Sequence, residues 1–110
     1  MKPFNIHVSV IEPSGFRTDW SGRSSVKTLP HIPDYVETLA PVFAYMGQGS
    51  GKEEGDPKKA AEALITIVES ENPPLRLLLG NFAYQTANNK FTNLLQSIEE
   101  WKETTINADF

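Results

Sequence analysis

The chain has no cysteine, so it can build no disulfide framework, no thiolate nucleophile and no cysteine-based zinc site. Histidine is nearly missing too. His7 and His31 stand too far apart in sequence for a local metal or triad arrangement and read as surface or satisfied side chains. Positive charge is short: ten Lys and Arg face fourteen Asp and Glu, for a net charge of -4. That balance argues against nucleic acid and anionic membrane as partners. No apolar run approaches the roughly 18 residues needed to span a bilayer. The start, Met1-Lys2-Pro3-Phe4-Asn5, has no apolar signal core. A cytoplasmic setting is expected from these absences, with the lack of cysteine adding modest support. Internal repeats and low-complexity tracts are also missing.

What is present suits one small α/β domain: 110 residues, 39% hydrophobic and 22% charged. Residues 6–11 read as a strand. Ile6, Val8 and Val10 alternate, Ile11 extends the run, and its near-continuous apolar character suits a strand covered on both faces. Residues 12–20 read as a turn, because Pro13 lacks a donor and Gly15 tolerates conformations that a side chain resists. Residues 21–55 are expected to be irregular, broken by Pro30, Pro33 and Pro41 and by glycines at 22, 47, 49 and 51. Within them a modest helix is expected over 34–46, bent or split at Pro41. Loops this long are uncommon in compact domains and often serve as lids, the alternative being an ordinary mobile insertion.

Asp56-Pro57 forms a helix start, with Asp as N-cap and Pro at the first helical position. A helix is expected over 57–69, stopped by Asn72-Pro73-Pro74. A short buried strand over 75–79 comes next, closed by Gly80. Strand, helix and strand in this order imply a right-handed crossover onto a parallel sheet. A long helix is expected over 82–103, with Ala87, Phe91, Leu94, Leu95, Ile98 and Trp101 on one stripe. A polar tail occupies 104–110.

The strand-end turn is the leading site candidate. Pro13, Ser14, Gly15 and Phe16 offer backbone groups at the carboxyl edge of a parallel strand, and the Thr18 hydroxyl can donate and accept. The competing account is that Pro13 and Gly15 merely end a strand while Thr18 caps the next segment. Phe16 and Trp20 fit either the apolar walls of a substrate pocket or a core. Gly47 to Lys52 fails the phosphate-loop pattern, because three residues separate Gly47 from Gly51 and Glu53 comes directly after Lys52. Glu53, Glu54 and Asp56 form an acidic run explained by a solvated helix approach.

The string Glu-Pro-Ser-Gly-Phe-Arg-Thr-Asp-Trp over 12–20 resembles the short-chain dehydrogenase/reductase family. The likeness continues through Gly55-Asp56-Pro57, Asn72-Pro73-Pro74-Leu75-Arg76, Leu79-Gly80 and Trp101, and covers essentially all of the chain but only the last part of the family's domain. It implies the carboxyl-terminal part of a Rossmann-like doubly wound parallel sheet: two parallel strands, a crossover helix, a long final helix and a lid-like insertion. The implied activity of a full-length protein is NAD- or NADP-dependent carbonyl reduction or alcohol oxidation on a small molecule.

By the same resemblance the Phe16 backbone meets the nicotinamide carboxamide, Thr18 bonds the carboxamide or a nearby phosphate, and Phe16 and Trp20 face substrate. Ser14 departs from the family's usual Gly, and a positive φ there would cost about 1–2 kcal/mol. The family's Tyr-any-any-any-Lys pair is not in this sequence, since Tyr35, Tyr45 and Tyr84 are followed four positions later by Leu39, Gly49 and Asn88. Neither is its glycine-rich nucleotide loop. The resemblance places both upstream of Met1, so neither tight cofactor binding nor hydride transfer is expected of this chain alone. Bare strand edges lead us to expect marginal stability and self-association or a homo-oligomer. Two rivals remain. One is a short non-catalytic protein that pairs its exposed strand with a partner, such as an oxidoreductase subunit. The other is a degenerate gene product without function.

Overall fold

A computed structural model describes residues 2–49 and 51–110. After a 3-10 turn over Lys2–Phe4 come β1 (Val10–Pro13), α1 (Pro33–Gly49), α2 (Pro57–Glu69), β2 (Arg76–Leu79), α3 (Asn81–Glu100) and α4 (Lys102–Ile106). They form two compact units. One comprises Met1–His7 with Gly15–Pro74, the other Val8–Ser14 with Leu75–Phe110.

The second unit holds the sheet. β1 and β2 pair in parallel, with Val10 opposite Arg76, Ile11 opposite Leu77, Glu12 opposite Leu78 and Pro13 opposite Leu79. A parallel pair needs a long connection, and α1 and α2 both fall within it in sequence. The first strand is shorter and later than its alternation suggests: it starts at Val10, excludes residues 6–9 and reaches Pro13. Pairing, rather than alternation, sets these limits, because β2 offers only four residues to pair with. Pro13 is tolerated at the end of β1. Val10 N–H donates to Leu75 O at 2.7 Å and Ser14 N–H to Leu79 O at 2.9 Å. Donors toward β2 therefore fall on alternate residues, and Pro13 occupies a position whose missing N–H would point away. Nor is the apolar run covered on both faces, since Ile6, Val8 and Val10 are all exposed.

Gly80, at φ 105° and ψ 146°, turns the chain from β2 directly into α3. The expected single helix over 82–103 is interrupted at Trp101. There the backbone relaxes to φ −102° and ψ 9°, the sparsely allowed region between helix and strand. Helix then resumes, so residues 104–106 belong to α4 rather than to a tail.

In the first unit α2 begins as its sequence dictates. The Asp56 carboxylate accepts the Lys58 N–H at 2.9 Å, and Pro57 sits in the first turn. Ala60, Ala63 and Ile67 share its less exposed face, and Ile67 is the one buried residue among those described. The 21–55 region is less irregular than its prolines suggest. α1 runs for 17 residues, starting at Pro33 with Asp34 in its first turn, and continues through Pro41. Pro41 removes one backbone donor, and the helix is continuous on both sides of it. No residue of α1 is buried.

Burial is slight throughout. The chain exposes 9878 Å², against roughly 6,100 Å² for a compact monomer of this size.

Candidate functional site at the end of strand β1

The candidate residues divide between the two units. In the sheet unit, Pro13 closes β1, and Ser14 uses both its N–H and its hydroxyl on one carbonyl, Leu79 O, at 2.9 and 3.2 Å. The next residue of that strand-to-helix corner is Gly80, where any Cβ would collide with Ser14 Oγ. The strain expected at Ser14 does not arise. Among the described residues Asn5, at φ 54°, is the only non-glycine with positive φ. Ser14 remains in the ordinary region because its amide is held by the end of β2 in the direction the strand already runs.

In the other unit, Gly15 and Phe16 lie beside Gly55. Gly55 N–H donates to Gly15 O at 3.1 Å and Arg17 N–H donates to Gly55 O at 2.8 Å, so Phe16 and Gly55 form a parallel bridge. The close approach requires glycine at 55, where a Cβ would stand 2.6 Å from both Gly15 O and Phe16 Cγ. It does not require glycine at 15. That residue has no positive φ, and a Cβ there would meet Glu53 Cγ at an ordinary 3.5 Å. The turn that needs glycine's backbone freedom is therefore at Gly80, while Gly55 is required only for the close approach. Within the bridge, the flanking residues use their peptide groups on Gly55, which leaves the Phe16 N–H and C=O unengaged among the described residues.

Thr18 Oγ1 accepts the Trp20 N–H at 3.3 Å, a local turn of the kind Thr hydroxyls make. The hydroxyl hydrogen can still donate. Phe16 is half-buried and Trp20 is 66% exposed. Asp19 and Arg23 form a solvent-facing pair at 2.7 Å.

Glu53 contributes what the sequence did not reveal. Ser21 Oγ donates to Glu53 Oε1 at 3.0 Å, and Arg17 Nε donates to the Glu53 carbonyl at 3.1 Å. Glu53 Oε2 is shielded from solvent without a hydrogen-bond partner. Its own backbone N–H, chief among the causes, holds the carboxyl below its ordinary range. The Ser21 hydroxyl, the Gly51 backbone and the Arg17 charge act in the same direction, against the upward push of desolvation. The acidic run is therefore not uniformly solvated: Glu53 turns inward, Glu54 is exposed and Asp56 caps α2.

No family model matches the chain. Oxidoreductase BOA17 of Botryotinia fuckeliana is 34% identical over 103 residues, which are 94% of this chain and 37% of that protein. An uncharacterized oxidoreductase of Schizosaccharomyces pombe is 29% identical over 87% of this chain and 32% of its own length. A crystal structure of a short-chain dehydrogenase from Streptomyces avermitilis superposes with a TM-score of 0.79 at 31% identity, covering 98% of this chain and 38% of that one. The chain is related to the short-chain dehydrogenases. Its α/β fold is part of their Rossmann-like doubly wound sheet, consistent with the carboxyl-terminal portion. The chain spans about a third of the length of these dehydrogenase and oxidoreductase relatives. Among the described residues, no helix is long and apolar enough to cross a membrane.

Sequence reasoning singled out residues 12–20 but missed the contacts that Ser21, Glu53 and Gly55 make around Gly15 to Arg17. The Ser21–Glu53 contact joins positions 32 apart, and no periodicity signals a pairing of that kind. Gly55 was visible only as part of Gly-Asp-Pro.

Proposed function

We propose that the chain is the carboxyl-terminal part of an NAD(P)-dependent short-chain oxidoreductase and supplies the edge on which the nicotinamide is seated. The observation that carries this reading is the Phe16 peptide. A carboxamide presents one donor group and one acceptor, and among the described residues Phe16 offers an unengaged C=O and N–H side by side, three residues after β1 in sequence. The fit extends to Thr18, whose hydroxyl keeps a hydrogen to donate while accepting from Trp20. When bound, NAD or NADP supplies the hydride that is exchanged with a small carbonyl or alcohol. The residues of this chain bind and orient. Pro13 and Ser14 hold the strand end, Gly15 ties the turn to Gly55 through its carbonyl, Phe16 presents its peptide groups, Thr18 adds a hydroxyl, and Phe16 and Trp20 offer apolar surface to substrate.

Mapping the transcript across the Met1 codon tests this reading. An open frame encoding a glycine-rich loop and Tyr-any-any-any-Lys supports it, and a stop codon just upstream overturns it. In the longer protein, Phe16→Pro removes the backbone donor and Thr18→Ala the hydroxyl. Each is expected to raise the KM for dinucleotide about tenfold, the worth of one hydrogen bond to a partner left unpaired.

One observation favours a second reading, a non-catalytic chain that pairs with a partner. Among the described residues the sheet has two strands, which leaves one edge of β1 and one of β2 without a strand partner, and an added strand would satisfy either. A stable monomer at micromolar concentration in analytical ultracentrifugation counts against it.

A further inference from the structure

Thr18 lies between two anchors, and both are on Glu53. On one side Arg17 donates its Nε to the Glu53 carbonyl at 3.1 Å, while its N–H holds Gly55 O at 2.8 Å. On the other, Ser21 donates its hydroxyl to Glu53 Oε1 at 3.0 Å. The remaining bonds of residues 18–24 are local: Trp20 to Thr18, Gly22 and Ser24 to Asp19, and Arg23 to Asp19. Lys27 Nζ reaches the Ser21 carbonyl, which ties the loop only to itself. Nothing else beyond residue 27 is hydrogen-bonded to residues 18–24 among the described residues.

We infer that Glu53 is a positioning residue, a clasp whose carbonyl and carboxylate hold residues 17 and 21 and so set where Thr18 and the Phe16 peptide stand. The inference rests on the oxidoreductase reading for what those groups bind, but the clasp itself is a property of this chain. A carboxylate suits the task because it is acceptor-only and takes the Ser21 hydroxyl without competing donors. The charged groups around it are Arg17 on the facing turn and Lys27 on the Ser21 carbonyl, with Lys52 and Glu54 as chain neighbours. The lowered pKa of Glu53 agrees with a carboxylate that stays ionised in the clasp. Neutralising it weakens the hold, because a charge-assisted hydrogen bond is the stronger kind.

The test is amide exchange by NMR on this chain without ligand, read as protection factors corrected for intrinsic pH dependence. In Glu53→Ala, protection at the Arg17 and Gly55 amides is expected to fall at least tenfold. The sheet amides of Val10 and Ser14 should stay within twofold. Glu53→Gln keeps an acceptor and should recover part of the loss, while Glu54→Ala should change nothing. Lowering the pH from neutrality through the folded pKa of Glu53 should strip protection from Arg17 and Gly55 in the wild type but not in Glu53→Gln. Unchanged Arg17 and Gly55 amides in Glu53→Ala overturn the proposal. So does an equal fall at all four sites, which marks a general stability role, and so does a lack of measurable protection in the wild type. Ligand plays no part in these readings, so the clasp stands or falls separately from the transcript result.

Discussion

Gly80 shows how much of this chain is decided by single backbone positions. It combines a φ of 105° and ψ of 146°, open in practice only to glycine, with a contact against Ser14 that leaves no room for a Cβ. Gly80→Ala should therefore destabilise the sheet unit by about 2–4 kcal/mol, from strain and overlap together. Urea denaturation followed by circular dichroism reads the loss. Adding Ser14→Gly should recover the overlap but not the strain, so the double variant falls between the two. Glu53 makes the residue-scale pH prediction. Its folded pKa lies below its unfolded one, so the stability it contributes is complete above the ordinary carboxylate range and is lost as pH falls through the folded value. The gap in urea midpoint between wild type and Glu53→Gln should accordingly be widest near neutrality and close as pH falls through the folded value. Asp56 was legible in sequence because its partner is two residues away, whereas Glu53 was not, its partners lying 32 and 36 positions away.

At the scale of elements, α2 was legible for the same local reason. Its cap, its proline and its apolar spacing all lie within one segment. Asp56→Ala should cost about 1 kcal/mol, visible as a lower urea midpoint without a change in the sheet amides. β1 was less legible. Alternation over Ile6, Val8 and Val10 pointed to a strand, but β2 determined which four residues pair. The stripe on α3 was read correctly as apolar, yet Phe91, Leu94, Leu95 and Ile98 remain exposed. Period reveals which side chains share a face; it does not reveal what covers them. Replacing exposed apolar residues usually shifts stability by less than about 0.5 kcal/mol. Leu95→Glu with Ile98→Lys should thus leave the fold intact while raising the monomer fraction in sedimentation velocity.

For the whole molecule the relevant quantity is uncovered surface. The excess over a compact monomer is roughly 3,800 Å², several times the roughly 800 Å² per partner of a standard interface. A chain exposing that much should bind a hydrophobic dye in its native state and unfold with a shallow urea dependence. The m-value should fall below the usual range of about 1–3 kcal/mol per molar urea. A matching partner should raise its thermal midpoint in proportion to the logarithm of partner concentration. The resemblance read from residues 12–20 extended correctly to the rest of the chain because those turn residues are contiguous. The clasp and the exposed area arise only from contacts between distant segments or from their absence.

The parallel register has a consequence for synthesis. Ser14 and Leu79, whose hydrogen bonds end the ladder, are 65 residues apart. At about 5–20 residues per second, β1 is synthesised roughly 3–13 s before its partner. Throughout that interval β1 presents both edges unpaired, while Asp56 and Pro57 can already start α2. The birth order of this fold is helix first and sheet last, and the nascent β1 segment is where a chaperone would find the longest-lived target.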